Sequence, residues 1–179
     1  MKKTGKFCIL RQGFFLRHTR VVARQLLGKY LVRRKGGKAI SRMITETEAY
    51  AGAEDLSSHA SNGRTPRNQA MFGAPGHWYV YFIYGMYHCL NIVTERKGRA
   101  AAVLIRGVEG YNGPGKLCRA FAISQDFYGK PATKASGLWI EDRGTDIKAL
   151  GYKVKTTPRI NVGGDSKAKK RLWRFVLER

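Results

Sequence analysis

Two β-type runs set close together constrain this chain most. Trp78–Ile83 and Tyr87–Val93 are built mainly from aromatic and branched apolar residues, with Tyr84-Gly85-Met86 between them. Such side chains fit a pleated surface better than a helix. The short linker reads as a tight turn in which Gly85 supplies a positive φ. A period of two puts Tyr79, Tyr81 and Ile83 on one face of the first run. Trp78, Val80, Phe82 and Tyr84 fall on the other, with Trp78 and Phe82 expected in the core. Tyr84, beside the turn glycine, is expected to project into solvent.

The rest of the chain adds strands and a few helices. A helix is expected over residues 19–27, capped by Thr19 and stopped by Gly28, with Ala23, Leu26 and Leu27 on its buried face. Strands are expected over 29–34 and 38–48 around Gly36-Gly37. In the second of these, Ile40, Arg42, Ile44, Glu46 and Glu48 would share a face. That face must open near Glu48, because a buried unpaired carboxylate is costly. Residues 51–76 are rich in Gly, Ser, Asn, Arg and Pro and read as a long irregular segment. Further strands are expected over 101–106, 149–154 and 172–177, and a helix over 114–123. The class is α+β: a single domain over 1–179 on an antiparallel sheet.

No stretch approaches the ~20 apolar residues of a membrane span. The start, Met1 to Phe7, is basic but lacks the apolar run of a signal peptide. Cys8, Cys89 and Cys118 are odd in number and widely spaced, as reduced, mostly buried thiols of a cytoplasmic protein would be. Neither cysteines nor histidines have metal-ligand spacing, so no metal is expected.

Charge then narrows the partner. The chain has 34 Lys plus Arg against 12 Asp plus Glu, a net +22 spread along its length. A basic, soluble or ribosome-associated surface is one reading; nucleic acid is the better one. The field by itself gives salt-sensitive, sequence-blind binding. Against this background Glu48, two residues before Tyr50, reads as a general base for water or as a strand carboxylate paired with a lysine. Glu46 reads as a second carboxylate or a structural ion pair. Tyr50, Tyr81 and His59 can form the two sides of a slot for one flat base. Electron-rich rings attract a cationic ring, such as that of an alkylated purine. Arg106 reads as a rim residue or a neighbour of Glu48. Asn112-Gly113-Pro114-Gly115-Lys116 opens a helix and can meet a phosphate there.

Several motifs occur together in one order: Thr45-Glu46-Thr47-Glu48-Ala49-Tyr50, Ser58-His59-Ala60, Thr65-Pro66-Arg67-Asn68, Met71-Phe72-Gly73, the run from Tyr79 to Tyr87, Leu90-Asn91, and Gly113-Pro114-Gly115-Lys116-Leu117-Cys118. In this the chain resembles the alkyladenine (methylpurine, 3-methyladenine) DNA glycosylase family over residues 14–175. The resemblance implies a curved antiparallel sheet with a protruding hairpin that inserts into DNA. It implies hydrolysis of the N-glycosidic bond of damaged purines flipped out of double-stranded DNA, leaving an abasic site, by a monomer with no cofactor, nucleoid-associated if bacterial. By the same resemblance Glu48 activates water, held also by Arg106 and the carbonyl of Val162. Tyr50 stacks on one face of the base, His59 and Tyr81 on the other, while Asn91 disfavours guanine. Met71 and Leu104 complete the expected pocket. The expected DNA contacts are Tyr84 as the wedge, Met86, Arg64, Arg67, Gly115 and Lys116. The connection from Arg106 to Asn112 is shorter than is usual in the family, and Asn161 stands where a glycine is usual. Three rivals differ in chemistry: a non-catalytic nucleic-acid-binding module on the same fold, a lyase using a lysine Schiff base, and a zinc deaminase, whose Cys-x-x-Cys and His-x-Glu elements this sequence lacks.

Overall fold

A computed structural model describes residues 7–179; most of the amino-terminal stretch read above as no signal peptide lies outside the described residues. In chain order the elements are β1 (Cys8–Ile9), α1 (Gln12–Phe15), α2 (Thr19–Leu26), β2 (Tyr30–Lys35), β3 (Lys38–Ala51), β4 (Trp78–Ile83), β5 (Tyr87–Val93), β6 (Ala101–Val108), β7 (Tyr111–Asn112), α3 (Pro114–Ala120), β8 (Leu138–Asp142), β9 (Lys153–Thr157), α4 (Ser166–Lys170) and β10 (Arg174–Glu178). All pairings of these strands are antiparallel, in the order β1-β8-β2-β3-β6-β5-β4, with β10 between β3 and β9. The α+β class holds.

β3 joins the two halves of the sheet. Its first part, Lys38 to Met43, pairs with β2 around Gly36 and Gly37, both at positive φ. From Ile44 onward it pairs with β6, while β10 flanks Glu46 to Glu48 on the other side. The β3–β6 register shifts twice between Ile44 and Thr47. Such irregularities re-aim side chains. Ile44 consequently lies in the main core, and Thr47 donates its hydroxyl to the Ala23 carbonyl of α2 at 2.8 Å. Glu46 and Glu48 point elsewhere, so the expectation that Ile44 shares their face is corrected: strict alternation does not survive the shifts.

The main core lies between the sheet and helices α2 and α3, and includes Trp78, Val80, Leu26 and Leu117. A smaller cluster of Ala60, Met71, Tyr79, Tyr81, Cys89 and Leu104 lies on the other face. The two faces read from β4 are thus real, but Phe82 is 42% exposed. It sits near the end of β4, beyond the cover of the core. The irregular segment is ordered by short 3-10 turns at His59–Asn62 and Gln69–Phe72. The buried Asn68 amide donates to the carbonyls of His59 and Gly63, each at 2.8 Å.

Several boundaries move. The cap of α2 is His18, whose ring nitrogen accepts from the Arg20 N–H. The strand expected over 149–154 is a turn through Gly151, and β9 starts at Lys153. The strand over 172–177 becomes β10, the helix over 114–123 ends at Ala120, and β3 runs three residues past Glu48. Strand β8 was not anticipated. Of the cysteines, Cys89 and Cys118 are buried, Cys8 is exposed, and all are free. Among the described residues no helix is long and apolar enough to cross a membrane.

Glu95 holds the start of α2. Its carboxylate accepts the Thr19 N–H at 3.1 Å and the Thr19 hydroxyl at 2.5 Å, and pairs with Arg99. Burial works to raise its pKa, but the Thr19 hydrogen bonds and Arg99 win and hold it below the ordinary carboxylate value. A depressed carboxylate contributes stability above its unfolded pKa, and that contribution disappears as pH falls through the folded one. Glu95→Ala should therefore lower the unfolding free energy at neutral pH by about 2 kcal/mol. In urea titrations the gap to wild type should narrow once pH drops below the ordinary carboxylate range; a gap independent of pH would count against the ionised contact.

Candidate active site

The Glu48 side chain is fully buried in β3, yet its carboxylate is well supplied with donors. Oε2 accepts the Tyr50 hydroxyl at 2.8 Å. Oε1 accepts the backbone N–H of Ile160 at 2.9 Å and lies 3.7 Å from Nε of Arg106. A carboxylate offers about four acceptor positions, so both oxygens retain free lone pairs. Burial first, and then the neighbouring Glu48 charge and hydrogen bond, push the Tyr50 phenol well above its usual pKa. The phenol stays protonated and donates.

Glu46 explains where Arg106 sits. Its Oε1 forms an ion pair with Arg106 Nε at 2.8 Å and accepts from Arg174 Nε at 2.6 Å. Held between two guanidinium groups, Glu46 fulfils the ion-pair reading, and it fixes Arg106 beside Glu48.

Two adjoining cavities, of about 350 and 330 Å³, share Tyr50, Tyr81, Ile83 and Asn161. The first is also lined by His59, Met71, Asn91 and Val162; the second by Glu48, Leu104, Arg106, Tyr84, Gly115 and Lys116. The structure therefore brings the expected catalytic and base-binding residues to one concavity. His59 and Tyr81 meet edge-to-face at 4.6 Å. The His59 ring bonds to the Tyr79 hydroxyl at 2.8 Å. Burial, and then Arg67, pull its pKa below the usual histidine value, so the imidazole is neutral at neutral pH. Asn91 is buried, with its amide donating to the Tyr79 carbonyl at 3.1 Å.

The tip between β4 and β5 projects the residues expected to contact DNA. Tyr84 is 71% exposed and Met86 63%. The Met86 N–H returns to the Ile83 carbonyl, with Tyr84 at φ 56° and Gly85 at φ 64°. α3 packs close to this hairpin: a Cβ on Gly115 would lie 2.5 Å from the Tyr87 ring. Arg67 donates to the Phe82 carbonyl and lies over the Tyr81 ring, whereas Arg64 lies over Phe72. The short connection after Arg106 is a turn through Glu109 and Gly110 into β7. Asn161 has φ 53°, a left-handed conformation that asparagine adopts more readily than most residues.

Sequence reasoning missed the Arg159–Asp55 pair. Both side chains are fully buried and joined by two contacts of 2.6 and 2.8 Å. Arg159 also donates to the carbonyl of Ala49, and its guanidinium lies 4.7 Å from the Tyr50 ring centroid. The one signal available was the scarcity of acids, which makes any aspartate in the irregular segment worth a question. The Ile160 N–H was invisible for a simpler reason: backbone donors leave no trace in residue type.

A family model described as "Methylpurine-DNA glycosylase (MPG)" matches residues 13–179. Among curated relatives, a protein of Anaeromyxobacter dehalogenans (strain 2CP-C) is 46% identical over 94% of this chain and 83% of its own. One from Methanocella arvoryzae is 43% identical over 93% and 91%, and one from Ehrlichia chaffeensis 43% over 94% and 93%. All three carry the name "Putative 3-methyladenine DNA glycosylase". With a family model matched over residues 13–179 and relatives 43–46% identical over more than nine-tenths of its length, the chain belongs to the methylpurine-DNA glycosylase family.

Proposed function

We propose that this DNA glycosylase flips an alkylated or deaminated purine out of duplex DNA and hydrolyses its N-glycosidic bond with water activated by Glu48. The observation that carries this reading is the state of Glu48: fully buried, held by Tyr50, Ile160 and Arg106, with free lone pairs at the wall of an aromatic cavity. Bound there, a water would attack C1′ and pass a proton to the carboxylate, while the bond electrons leave with the base. Arg106 and the Val162 carbonyl help to hold that water. The base stacks on Tyr50 and faces His59 and Tyr81, with Met71, Leu104 and Asn91 around its edge. A neutral His59 adds no charge repulsion against a cationic base.

Extruding a base costs a few kcal/mol of stacking. Tyr84 offsets this by filling the vacated space, with Met86 beside it. Arg64, Arg67, Gly115 and Lys116 hold the phosphates without reading sequence. The enzyme acts as a monomer and is monofunctional, since water and not a lysine amine takes the sugar carbon. The second reading, a non-catalytic module on this fold, is weaker because a DNA-binding surface alone has no use for a buried carboxylate held by two hydrogen-bond donors and an arginine.

Single-turnover excision from duplexes carrying one 7-methylguanine or one hypoxanthine tests the chemistry. Wild type should release base, and Glu48→Gln should bind the same DNA with the rate lowered by roughly 10²–10⁴-fold. Retained turnover would remove Glu48 from its role; no release by either protein, with binding intact, would favour the module. Borohydride should trap no enzyme–DNA adduct, and a trapped one would mean a lyase. Tyr84→Ser should shrink the fluorescence rise of a 2-aminopurine reporter on lesion binding; an undiminished rise would end the wedge assignment. Affinity for undamaged duplex should fall by about 10³-fold or more between 50 and 200 mM salt if six or more phosphates are held. A shallow salt slope would mean that phosphate contacts are minor.

A further inference from the structure

Arg159 takes no part in the reaction just described, yet it is a buried charge held beside the base slot. It is fully buried, lines neither cavity and lies over the Tyr50 ring. It therefore covers the ring face turned away from the slot. Asp55, the carbonyls of Ala49 and Ala168, and the Trp173 ring 5.1 Å away fix it there. It cannot reach DNA, so its influence on a bound base passes across the Tyr50 ring.

When the C1′–N bond breaks, its electron pair goes to the base nitrogen; the water oxygen bonds to C1′ and a proton passes to Glu48. A neutral purine thus gains negative charge, and a cationic one becomes neutral. A fixed cation behind Tyr50 favours the first change outright. A cationic base, in contrast, loses on entering the slot what it regains as the bond breaks. Measured from free reactants, only the neutral base benefits. We infer that Arg159, acting through the Tyr50 ring, is a specificity-determining positioning residue that promotes release of neutral purines relative to cationic ones. This rests on the reading that the flipped base stacks on Tyr50.

With the guanidinium 4.7 Å behind the ring and a base about 3.5 Å in front, the separation is roughly 8 Å, enough for about a tenfold effect at intermediate dielectric with Asp55 as counter-charge. Arg67, 5.7 Å from the Tyr81 ring centroid, acts from the opposite wall, but it is exposed and strongly screened.

The test compares kcat/KM for duplexes carrying hypoxanthine, a neutral base, and 7-methylguanine, a cationic one. The double variant Asp55→Asn/Arg159→Gln removes both charges while keeping hydrogen-bonding groups. Its hypoxanthine-to-7-methylguanine ratio should fall by roughly tenfold. Equal losses on both substrates would make the pair structural only and overturn the inference, as would a raised ratio. If the double variant fails to fold by circular dichroism, Arg171→Gln decides. Arg171 is part-exposed, 3.5 Å from Asp55, and its loss leaves the buried pair in place. Its ratio should fall by about twofold, a smaller shift from a more screened charge; an unchanged or raised ratio overturns the inference. Wild type that releases 7-methylguanine but no hypoxanthine also overturns it. Wild type that releases neither instead sinks the proposed reaction, so the two failures are distinct.

Discussion

The buried pair of Arg159 and Asp55 is the contact on which the site depends. Both side chains are sealed from solvent, and removing two charges from water is expensive. The offset is geometric: two parallel hydrogen bonds, with the carbonyls of Ala49 and Ala168 taking further guanidinium protons. Asp55 in turn accepts from the Ala51 and Ser57 N–H groups. The end of β3, the irregular segment after it, the strand-free stretch around Ile160 and helix α4 therefore meet at one point. Such a pair is weak evidence for net stability, since an apolar replacement can do as well. Its effect here is positional: it sets the backbone of residue 159, and hence the Ile160 N–H that holds Glu48.

That use of acid is general in this chain. Glu46, Glu48, Asp55, Glu95 and Glu141, five of its 12 acidic residues, are buried, and each is met by arginines or hydrogen-bond donors. Acids are withdrawn inside as anchors together with the arginines they pair, which leaves the surplus of lysine and arginine to the exterior. A strong positive exterior destabilises a compact state by self-repulsion, and the internal ion pairs relieve part of it by neutralising arginines that would otherwise add to the field. Electrostatic cohesion inside and attraction for phosphate outside thus come from one distribution of charge.

How much of this the sequence disclosed follows from the range of each signal. Local composition located β4, β5 and β6, and alternation sorted Trp78 from Tyr79, because side-chain direction in a strand depends only on neighbours. The same rule failed at Ile44, where register shifts against β6 reset the faces; their cause lies in a partner strand more than fifty residues away. It failed again near residue 150, where an apolar pair sits in an exposed turn. In the site, Glu48, Tyr50, His59 and Arg106 could be found because their side chains carry the proposed chemistry. Arg159 could not, because one arginine among so many becomes informative only when burial singles it out.

Tyr84 shows how a poor choice for folding can still be informative. Both central residues of its turn have positive φ, a geometry that asparagine and glycine normally supply. An L-residue with a Cβ gives up about 1–2 kcal/mol in that conformation. Tyrosine gains nothing in return from burial, since its ring is largely in solvent. The Gly85 position next to it is equally open, with nothing within 4 Å of where a Cβ would stand. A residue that costs the free protein stability and returns no packing must have its favourable contacts in another state. The ring stands at the rim of the cavity that holds Glu48, where the proposed wedge would meet a base stack. The strain at Tyr84 and the burial of Glu48 therefore support the same proposal from opposite sides: one group is exposed against its interest, the other enclosed against its own, and the proposed complex with an extruded base would satisfy both.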